Sequence, residues 1–259
     1  MRDFKKQGTP NWADCATTNL AASEAFYASL FGWSAEHVVG SDGNVYSLQR
    51  LQGNMVAGIY SLSDELRDMG VSPHWGTYIE VDDLDATLAR VPAAGGTVID
   101  GPLDEPDVGK IALIQDSAGA FVRLWHSAPA HGGEVFSVPG AMTWNELCTT
   151  QPETAGAFYQ DVLGVEIETI EKPTRYTLMK IDGKPTAGIL VATPEMGECR
   201  SRWDVYFATD NVDLVSARAA EVGGKVLRDP FDVPGGGRMA VLEDSRGAVF
   251  KVIQTPDRQ

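Results

Sequence analysis

Histidine and cysteine are the side chains that most often bind metals or act as nucleophiles, so their spacing indicates which chemistry a chain can perform. The chain of 259 residues has four histidines, and no pair of them forms an H-x-H or H-E-x-x-H pattern. They are His37, His74, His126 and His131. A G-x-S-x-G motif, typical of an activated serine, is also absent from the sequence. We therefore expect no histidine-based metal site, and the sequence shows no signal of nucleophilic catalysis.

The cysteines are Cys15, Cys148 and Cys199, an odd number with no C-x-x-C spacing. Such a pattern is typical neither of a disulfide framework nor of a zinc site. We expect a reduced, cytoplasmic protein, because disulfides persist mainly in oxidising compartments.

The charge balance limits the classes of partner. The net charge is −15, and hydrophobic residues make up 43% of the chain, enough for two domains with cores of their own. An acidic surface repels nucleic acids and anionic membranes, so neither is expected as a partner. The first residues, MRDFKKQG, are not followed by an apolar segment, so we expect no signal peptide, and no apolar run has the length of a membrane span. The expected partner is a small molecule.

One stretch of the sequence occurs twice and must position whatever site the chain carries. NWADCATTNLAASEAFYASLFGW begins at Asn11, and MTWNELCTTQPETAGAFYQDVLGV begins at Met142. Trp12 and Trp144 match at an offset of 132 residues, as do the A-F-Y and the final glycine of each copy. The pattern predicts a strand followed by a helix, with Asn19 as the N-cap and a glycine as the stop signal. A repeat of this size indicates a duplicated domain.

The remainder of each copy also follows one order. In the first copy, the patterns predict strands at 45–49, 55–62, 77–81, 97–99, 111–115 and 121–125, and a polar loop at 62–72. A second helix is expected between Asp82-Asp83 and Gly95-Gly96, and the D-S-A-G sequence at 116–119 predicts a hairpin turn. The order is βαβββ twice per copy, which indicates an α+β fold with helices on one side of curved sheets. We expect a first domain at 8–129, a linker at 130–137 and a second domain at 138–256.

Four signatures together carry a family resemblance, and the matching positions keep the same order in both copies. They are the A-F-Y helix with its terminal glycine, the E-V-D-D-L-D at 80–85, the Gly-Gly after each second helix, and the D-S-x-G hairpins. In this order the chain resembles the vicinal oxygen chelate superfamily, which includes glyoxalase I, extradiol dioxygenases and bleomycin-resistance proteins. Among its members, the chain is most similar to two-domain proteins labelled glyoxalase-like or hydroxylase. The resemblance implies two tandem domains, each a pair of βαβββ units forming a half-barrel that holds a ligand in its cleft.

Enzymes of that family usually hold a divalent metal with His and Glu on the first and last strand of each βαβββ unit. The matching positions here are Trp12, Gly58, Gly76 and Arg123 in the first domain, and Trp144, Gly188, Asp204 and Lys251 in the second. A fixed cation stands where the family has a carboxylate, and a cation repels a metal ion. The resemblance therefore implies a domain without the usual metal, and we expect no metal and no other cofactor.

Side chains two apart on a strand share a face, so the matched positions bring their neighbours into the same clefts. The resulting candidate ligand-binding residues are Trp12, Asp14, Tyr46, Tyr78, Glu80, Arg123, Trp125, Trp144, Glu146, Tyr176, Asp204, Tyr206 and Lys251. We expect Arg123 to pair with Asp14 or Glu80. Lys251 is expected to pair with Glu146 or Asp204. Such pairs can be structural bridges, or they can offer donors to a ligand stacked on Trp12 or Trp144.

Two classes of function remain open from the sequence. The first is a glyoxalase/bleomycin-resistance-like protein that binds a small, partly aromatic molecule without a metal. The second is a superfamily enzyme, such as a glyoxalase-like lyase, a dioxygenase or a hydroxylase-type tailoring enzyme, acting through Asp, Glu and Tyr acid–base groups. The missing His/Glu set favours binding, and no catalytic residue is indicated. We also expect a monomer, because the duplication supplies within one chain the pseudo-symmetry of a dimer.

Overall fold

The computed structural model describes residues 4–40, 43–105, 107–129, 131–172, 175–193, 200–234 and 236–255. Cys199 lies outside these residues. The first repeat contains β1 (Pro10–Thr17), α1 (Leu20–Phe31), β2 (Ser34–Val39), β3 (Val45–Leu51), β4 (Asn54–Ser61), α2 (Asp64–Asp68), β5 (His74–Glu80), α3 (Leu84–Leu88), β6 (Thr97–Glu105), β7 (Gly109–Gln115) and β8 (Phe121–Ser127).

The second repeat has the same order without a counterpart of α2 in its described residues. It contains β9 (Met142–Thr149), α4 (Pro152–Leu163), β10 (Glu166–Ile170), β11 (Tyr176–Ile181), β12 (Lys184–Val191), β13 (Arg202–Ala208), α5 (Val212–Glu221), β14 (Lys225–Val233), β15 (Gly237–Glu243) and β16 (Val249–Gln254).

Each repeat forms one eight-stranded sheet, and the strand order is the same in both. Sheet A has the order β2-β3-β4-β1-β5-β8-β7-β6, and sheet B has the order β10-β11-β12-β9-β13-β16-β15-β14. The strands β1 and β4 run parallel, as do β5 and β8, whereas the hairpin neighbours run antiparallel. Mixed sheets with a few helices confirm the predicted α+β class and the tandem arrangement.

The local signals of the first helix are confirmed. The Asn19 side chain accepts a hydrogen bond from the backbone N–H of Ala22 at 3.0 Å, and Gly32 ends the helix in the left-handed conformation at φ 73°. The second copy begins α4 differently, with Pro152 in the first turn and no side-chain cap from Gln151. Proline suits that position because its fixed φ is already helical.

Three segments of the first repeat differ from the prediction. The helix expected between Asp82-Asp83 and Gly95-Gly96 is the short α3, which ends at Leu88. Residues 62–72 are not only a loop, because Ser63 caps the short helix α2 through a bond from the N–H of Leu66. The strand β2 was missed because all six of its residues are exposed, so it lacks the alternation that marks a half-buried strand. It is nevertheless paired in register with β3 along its whole length.

Packing groups the chain into two compact units that do not follow the repeats. Unit 1 comprises Met1–Trp12, Gly76–Gly132 and Asn145–Asp204, and unit 2 comprises Ala13–Trp75, Gly133–Trp144 and Val205–Gln259. The core of unit 1 includes Leu124, Leu147 and Phe158, all of them fully buried or nearly so. The core of unit 2 is more aromatic, and its rings include Phe26, Tyr27, Trp33, Trp75, Phe207 and Phe250. The domain boundaries drawn from the sequence remain a prediction.

The A-F-Y and D-S-x-G signatures meet inside each unit. In unit 1, the Tyr159 hydroxyl donates to Asp116 at 2.7 Å, and the indole N–H of Trp203 donates to the Tyr159 oxygen at 2.9 Å. The other carboxylate oxygen of Asp116 accepts the N–H groups of Ala118 and Ala120 and so holds the hairpin turn. Burial raises the pKa of both Asp116 and Tyr159.

Unit 2 repeats this buried chain of hydrogen bonds. The Tyr27 hydroxyl donates to Asp244 at 3.1 Å, and the indole N–H of Trp75 donates to the Tyr27 oxygen at 2.8 Å. Cys15 is added here, with its Sγ 3.9 Å from Asp244 and its pKa raised well above the usual value by burial. These groups are fully enclosed, so they hold helix and hairpin together instead of meeting a ligand.

None of the helices in the described segments has the length and apolar character needed to cross a membrane.

Candidate functional site

The strands β5 and β8 place a cation on an aromatic ring in unit 1. Tyr78 and Arg123 are partners in the parallel register, and the guanidinium carbon of Arg123 is 5.1 Å from the centre of the Tyr78 ring. The tyrosine is buried and the arginine is half-buried. At this distance the ring face attracts the cation.

The second repeat places a different cation at the same register. In unit 2, Tyr206 and Lys251 are partners on β13 and β16, and the Lys251 Nζ is 4.8 Å from the ring centre. The amine also donates to the Tyr206 hydroxyl oxygen at 3.0 Å. Lys251 is only 5% exposed, which is rare for a lysine and requires polar compensation.

Further aromatic surface lies beside Tyr78. The rings of Tyr78 and Trp125 meet edge to face with their centres 5.7 Å apart, and the Nζ of Lys5 is 6.0 Å from the Trp125 ring centre. The indole N–H of Trp125 donates to the Val108 carbonyl at 3.2 Å, which fixes the ring. Trp12 is buried on β1 in the same unit, whereas Trp144 is half-buried on β9 in unit 2.

Glu80 has partners that the sequence did not indicate. Its carboxylate accepts hydrogen bonds from the Asn11 amide, from the backbone N–H of Ser127 at 3.1 Å and from the Ser127 hydroxyl. The side chain is 4% exposed, and burial raises the pKa of Glu80, against the opposing effects of the Ser127 hydrogen bonds and the Lys5 charge. The predicted pairing of Arg123 with Glu80 remains a prediction.

A depression of 390 Å³ opens beside Glu80. Its walls are Lys5, Glu80, Asp82, His126, Ser127 and Pro129. Lys5 is held in place by three acceptors, the Ser127 hydroxyl at 2.6 Å and the carbonyls of Ala128 and His131. Lys5 and Ser127 were both missed, because nothing in the local sequence of either segment signals the contact.

A tyrosine covers a glycine on the fourth strand of each repeat. A Cβ added to Gly58 would lie 1.8 Å from the hydroxyl oxygen of Tyr46, and one added to Gly188 would lie 1.8 Å from that of Tyr176. The tyrosines are half-buried. In the parallel register, Gly58 is the partner of the buried Asp14.

The corresponding partner of Gly188 is the buried Glu146. One further carboxylate of unit 1, Asp204, is 5% exposed and accepts a hydrogen bond from the Nε of Arg202 at 2.9 Å. The predicted pairings of Asp14, Glu146 and Asp204 with the two cations remain predictions, as does ligand binding at each candidate residue.

Comparison of the chain with known proteins shows its family. Residues 9–124 match the glyoxalase/bleomycin resistance protein/dioxygenase superfamily, and residues 143–253 match a glyoxalase-like domain. The protein named "Putative glyoxylase CFP32" of Mycobacterium tuberculosis is 38% identical over 261 residues, covering 100% of this chain and 99% of its own length. The chain belongs to the vicinal oxygen chelate superfamily.

Other relatives of this vicinal oxygen chelate protein show how widely the superfamily's activities vary. The anthracycline biosynthesis protein DnrV of Streptomyces peucetius is 35% identical, with 95% of this chain and 93% of the relative covered. Among solved structures, the Mn(II)-bound glyoxalase from Novosphingobium aromaticivorans has a TM-score of 0.64 at 18% identity, covering 96% of this chain and 82% of its own. The 2,3-dioxygenase LapB from Pseudomonas sp. KL28 has a TM-score of 0.64 at 12% identity, covering 98% and 96%. At these identities the structures show the fold alone.

The residues of this vicinal oxygen chelate protein do not fit the metal that its family commonly uses. The described residues contain no group of three or more His, Cys, Asp or Glu side chains placed to hold a metal ion. On the fourth strands, the hydroxyls of Tyr46 and Tyr176 occupy the space that a ligating side chain would need. On the last strand of each repeat, the residue that the resemblance matches to a metal ligand is a cation, Arg123 or Lys251.

Proposed function

We propose that the protein binds a small, partly aromatic molecule on the strand faces that carry the candidate residues, and does so without the usual divalent metal. The observation that carries this proposal is the repeated pair of a cation on a tyrosine ring, Arg123 with Tyr78 and Lys251 with Tyr206. A cation keeps its donors while it lies on a ring, so the pair offers an aromatic ligand both a stacking surface and a polar contact.

The absence of a fitting ligand set supports the metal-free part of the proposal. The positions that the resemblance assigns to last-strand ligands carry the cations Arg123 and Lys251. The fourth-strand positions are Gly58 and Gly188, each covered by a tyrosine, and Asp204 is the one carboxylate among the eight matched residues. A divalent ion beside Arg123 or Lys251 would be repelled by the fixed positive charge of that side chain.

Acid–base catalysis is the second candidate, and the Glu80 region favours it. Glu80 has a raised pKa, contacts Ser127 and lies against a depression with His126 in its wall. A carboxyl group whose pKa is raised by burial is a common form of general acid or base. The names of the relatives, a glyoxylase and a protein of anthracycline biosynthesis, are compatible with an enzyme of carbonyl or aromatic compounds.

The proposal also covers the location, the partners and the oligomeric state of the protein. The net charge of −15 supports a protein without nucleic-acid or membrane partners, and the cysteine spacing supports a cytoplasmic location. A monomer is expected, since the two repeats lie in one chain. Light scattering should give 27.9 kDa, and a value of twice that mass would contradict the monomer.

Calorimetric titration with phenol, 2-naphthol and 1,4-dihydroxyanthraquinone tests the binding function. We expect saturable binding of at least one of these compounds, with at most one molecule per repeat. The Arg123→Met and Lys251→Met variants should bind the compound more weakly, because each loses the cation and its donors. Lys110→Met is the matched control for sheet A, since Lys110 is paired with Asp85 outside the candidate set.

Lys225→Met is the control for sheet B, because Lys225 pairs with Glu243 and is largely exposed. Flat titrations with all three compounds would refute the binding proposal. Binding that both control variants weaken as much as Arg123→Met would show that general charge, and not the cation–tyrosine pair, is responsible.

A further inference from the structure

The depression beside Glu80 is separate from the cation–tyrosine pairs. All of its walls belong to unit 1, and apart from Glu80 none of them is among the candidate ligand-binding residues. Its volume of 390 Å³ is enough for a small organic molecule. The polar atoms of the walls that are not already bonded inside the protein decide which molecule fits.

The donors in these walls are occupied internally. The Lys5 ammonium has three N–H groups, and three oxygens accept from it, namely the Ser127 hydroxyl at 2.6 Å and the carbonyls of Ala128 and His131. Ser127 in turn gives its backbone N–H and its hydroxyl proton to the Glu80 carboxylate. The lysine and the serine therefore hold the walls together, and their protons are already in use.

Acceptors are still available in the same walls. A carboxylate has about four lone-pair sites. On Glu80, Oε2 accepts from the Asn11 amide and the Ser127 hydroxyl, whereas Oε1 accepts only the Ser127 N–H within the described part of the chain. Asp82 also lines the depression, and its side chain is exposed. The two carboxyl groups can therefore accept further hydrogen bonds.

His126 adds an acceptor whose tautomer is set by the fold. Its Nδ1 lies 3.0 Å from the carbonyl oxygen of Val81. A carbonyl can only accept, so Nδ1 must carry the hydrogen of that bond. In the neutral ring, Nε2 then has no proton and is an acceptor.

We propose that this depression binds a small organic molecule through a protonated primary amine. An ammonium group has three N–H donors and no acceptor, and the walls supply acceptors for it in Glu80 Oε1, the Asp82 carboxylate and His126 Nε2. With both carboxyl groups ionised, Lys5 leaves the walls with an excess of negative charge, and the whole chain carries −15. A cation is attracted to such a surface. The inference goes beyond the proposed binding of an aromatic molecule and does not depend on it.

The second repeat has different residues at the matching positions. At the offset of 128 residues that relates the D-S-x-G hairpins, Ala208 matches Glu80 and Gln254 matches His126. The registers of the parallel strand pairs agree with this match. We therefore expect a single amine site per chain, whereas the cation–tyrosine pairs occur in both repeats.

Calorimetric titration with cyclohexylamine and cyclohexanol tests the inference. The two compounds share a ring and differ in the polar group, and neither is aromatic, so stacking on the tyrosines is not probed. At about pH 8, alkylamines are charged and imidazoles are ordinarily neutral. We expect saturable binding of a single cyclohexylamine per chain, and cyclohexanol should bind at least about 10-fold more weakly because it carries no charge.

Two wall variants and one control locate the binding. Asp82→Asn removes a charge at nearly constant shape and should weaken cyclohexylamine binding about 10-fold. His126→Asn keeps an N–H for the Val81 carbonyl but has no counterpart of Nε2, so it should weaken binding about 3- to 10-fold. Asp161→Asn is the matched control, because Asp161 is exposed on α4 in the same unit and does not line the depression. Thermal melts show which variants are folded.

The outcomes are distinct from those of the proposed function. A loss of cyclohexylamine affinity in both wall variants, absent in Asp161→Asn, supports the inference. Flat titrations with cyclohexylamine, equal affinity for cyclohexanol, or wall variants that bind like the parent would overturn it. An equal loss in Asp161→Asn would also overturn it, since general attraction of cations to the acidic chain would then explain the binding. Asp82→Asn should bind 2-naphthol like the parent, so the two proposals can fail separately.

Discussion

The pair Tyr78–Arg123 and the pair Tyr206–Lys251 occupy the same register in two sheets of the same strand order, yet they differ in burial and chemistry. Arg123 is half-buried and offers a planar group with five donors, which suits contact with a ligand. Lys251 is 5% exposed and uses one donor on its own Tyr206. The two repeats thus carry a cation at the same register position, but Lys251 is buried more deeply than Arg123.

The largest expected effect is a loss of stability, and it should be greater when Lys251 is removed than when Arg123 is removed. Lys251→Ala is expected to lower the free energy of unfolding by about 3–5 kcal/mol, because the groups that compensate a buried charge lose their partner. Arg123→Ala should cost less than half as much, since its half-buried group is better solvated. Urea melts of both variants provide the measurement, with Lys225→Ala as an exposed control. A larger loss for Arg123→Ala than for Lys251→Ala would contradict the view that Lys251 is the more deeply buried cation.

A second comparison concerns the buried tyrosines of the two units. Tyr159→Phe and Tyr27→Phe should each cost about 1–3 kcal/mol, because a buried carboxylate and an indole N–H lose their partner. We expect the larger loss in unit 1, where the tyrosine–carboxylate distance is 2.7 Å against 3.1 Å in unit 2. Denaturant melts of both variants would show the difference. Equal losses of unfolding free energy in the two variants would mean that the tyrosine–carboxylate distance does not determine how much each hydrogen bond stabilises the fold.

The pH dependence of stability should show whether the buried Glu80 carboxyl group is protonated more readily in the folded state. Burial raises the pKa of Glu80 above its usual 4.5, so the folded state keeps this proton to higher pH than the unfolded state does. Stability linked to this group is therefore full below pH 4.5 and is lost as the pH rises through the raised value. Glu80→Gln should make the stability curve flatter above pH 4.5, by at most about 1.4 kcal/mol per pH unit. Urea melts across that range test this, and an unchanged slope would remove Glu80 as its source.

The smallest expected effect is that of a chelator on the melting temperature, because we expect no bound divalent metal. The glyoxalase from Novosphingobium aromaticivorans, which has a similar fold, is Mn(II)-bound. Here the positions that the resemblance assigns to ligands include the cations Arg123 and Lys251 and the glycines Gly58 and Gly188. Elemental analysis should find well under one divalent ion per repeat, and a chelator should leave the melting temperature unchanged. Stoichiometric manganese, iron, nickel or zinc that a chelator removes with loss of stability would contradict the metal-free proposal.

The sequence alone determined the features that depend on neighbouring residues. Asn19 and Gly32 mark the ends of α1 because a cap and a left-handed glycine act within a few residues of the helix. The D-S-x-G turns follow from the same locality, since Asp116 bonds N–H groups two and four residues away. The repetition of these signals was enough to indicate the duplicated α+β fold and the family.

The tertiary structure decided which distant residues meet, and there the local pattern had no information. Lys5 and Ser127 are 122 residues apart in the sequence and are in contact only in the folded chain. The hydrogen bond from Ser127 to Glu80 likewise depends on the fold, which brings the end of β8 beside the end of β5. The exposed strand β2 exists because β3 supplies its hydrogen bonds. In the same way, Gly58 reads as an ordinary strand glycine until the fold places the hydroxyl of Tyr46 above it, since side-chain volume is shared across strands and not along them.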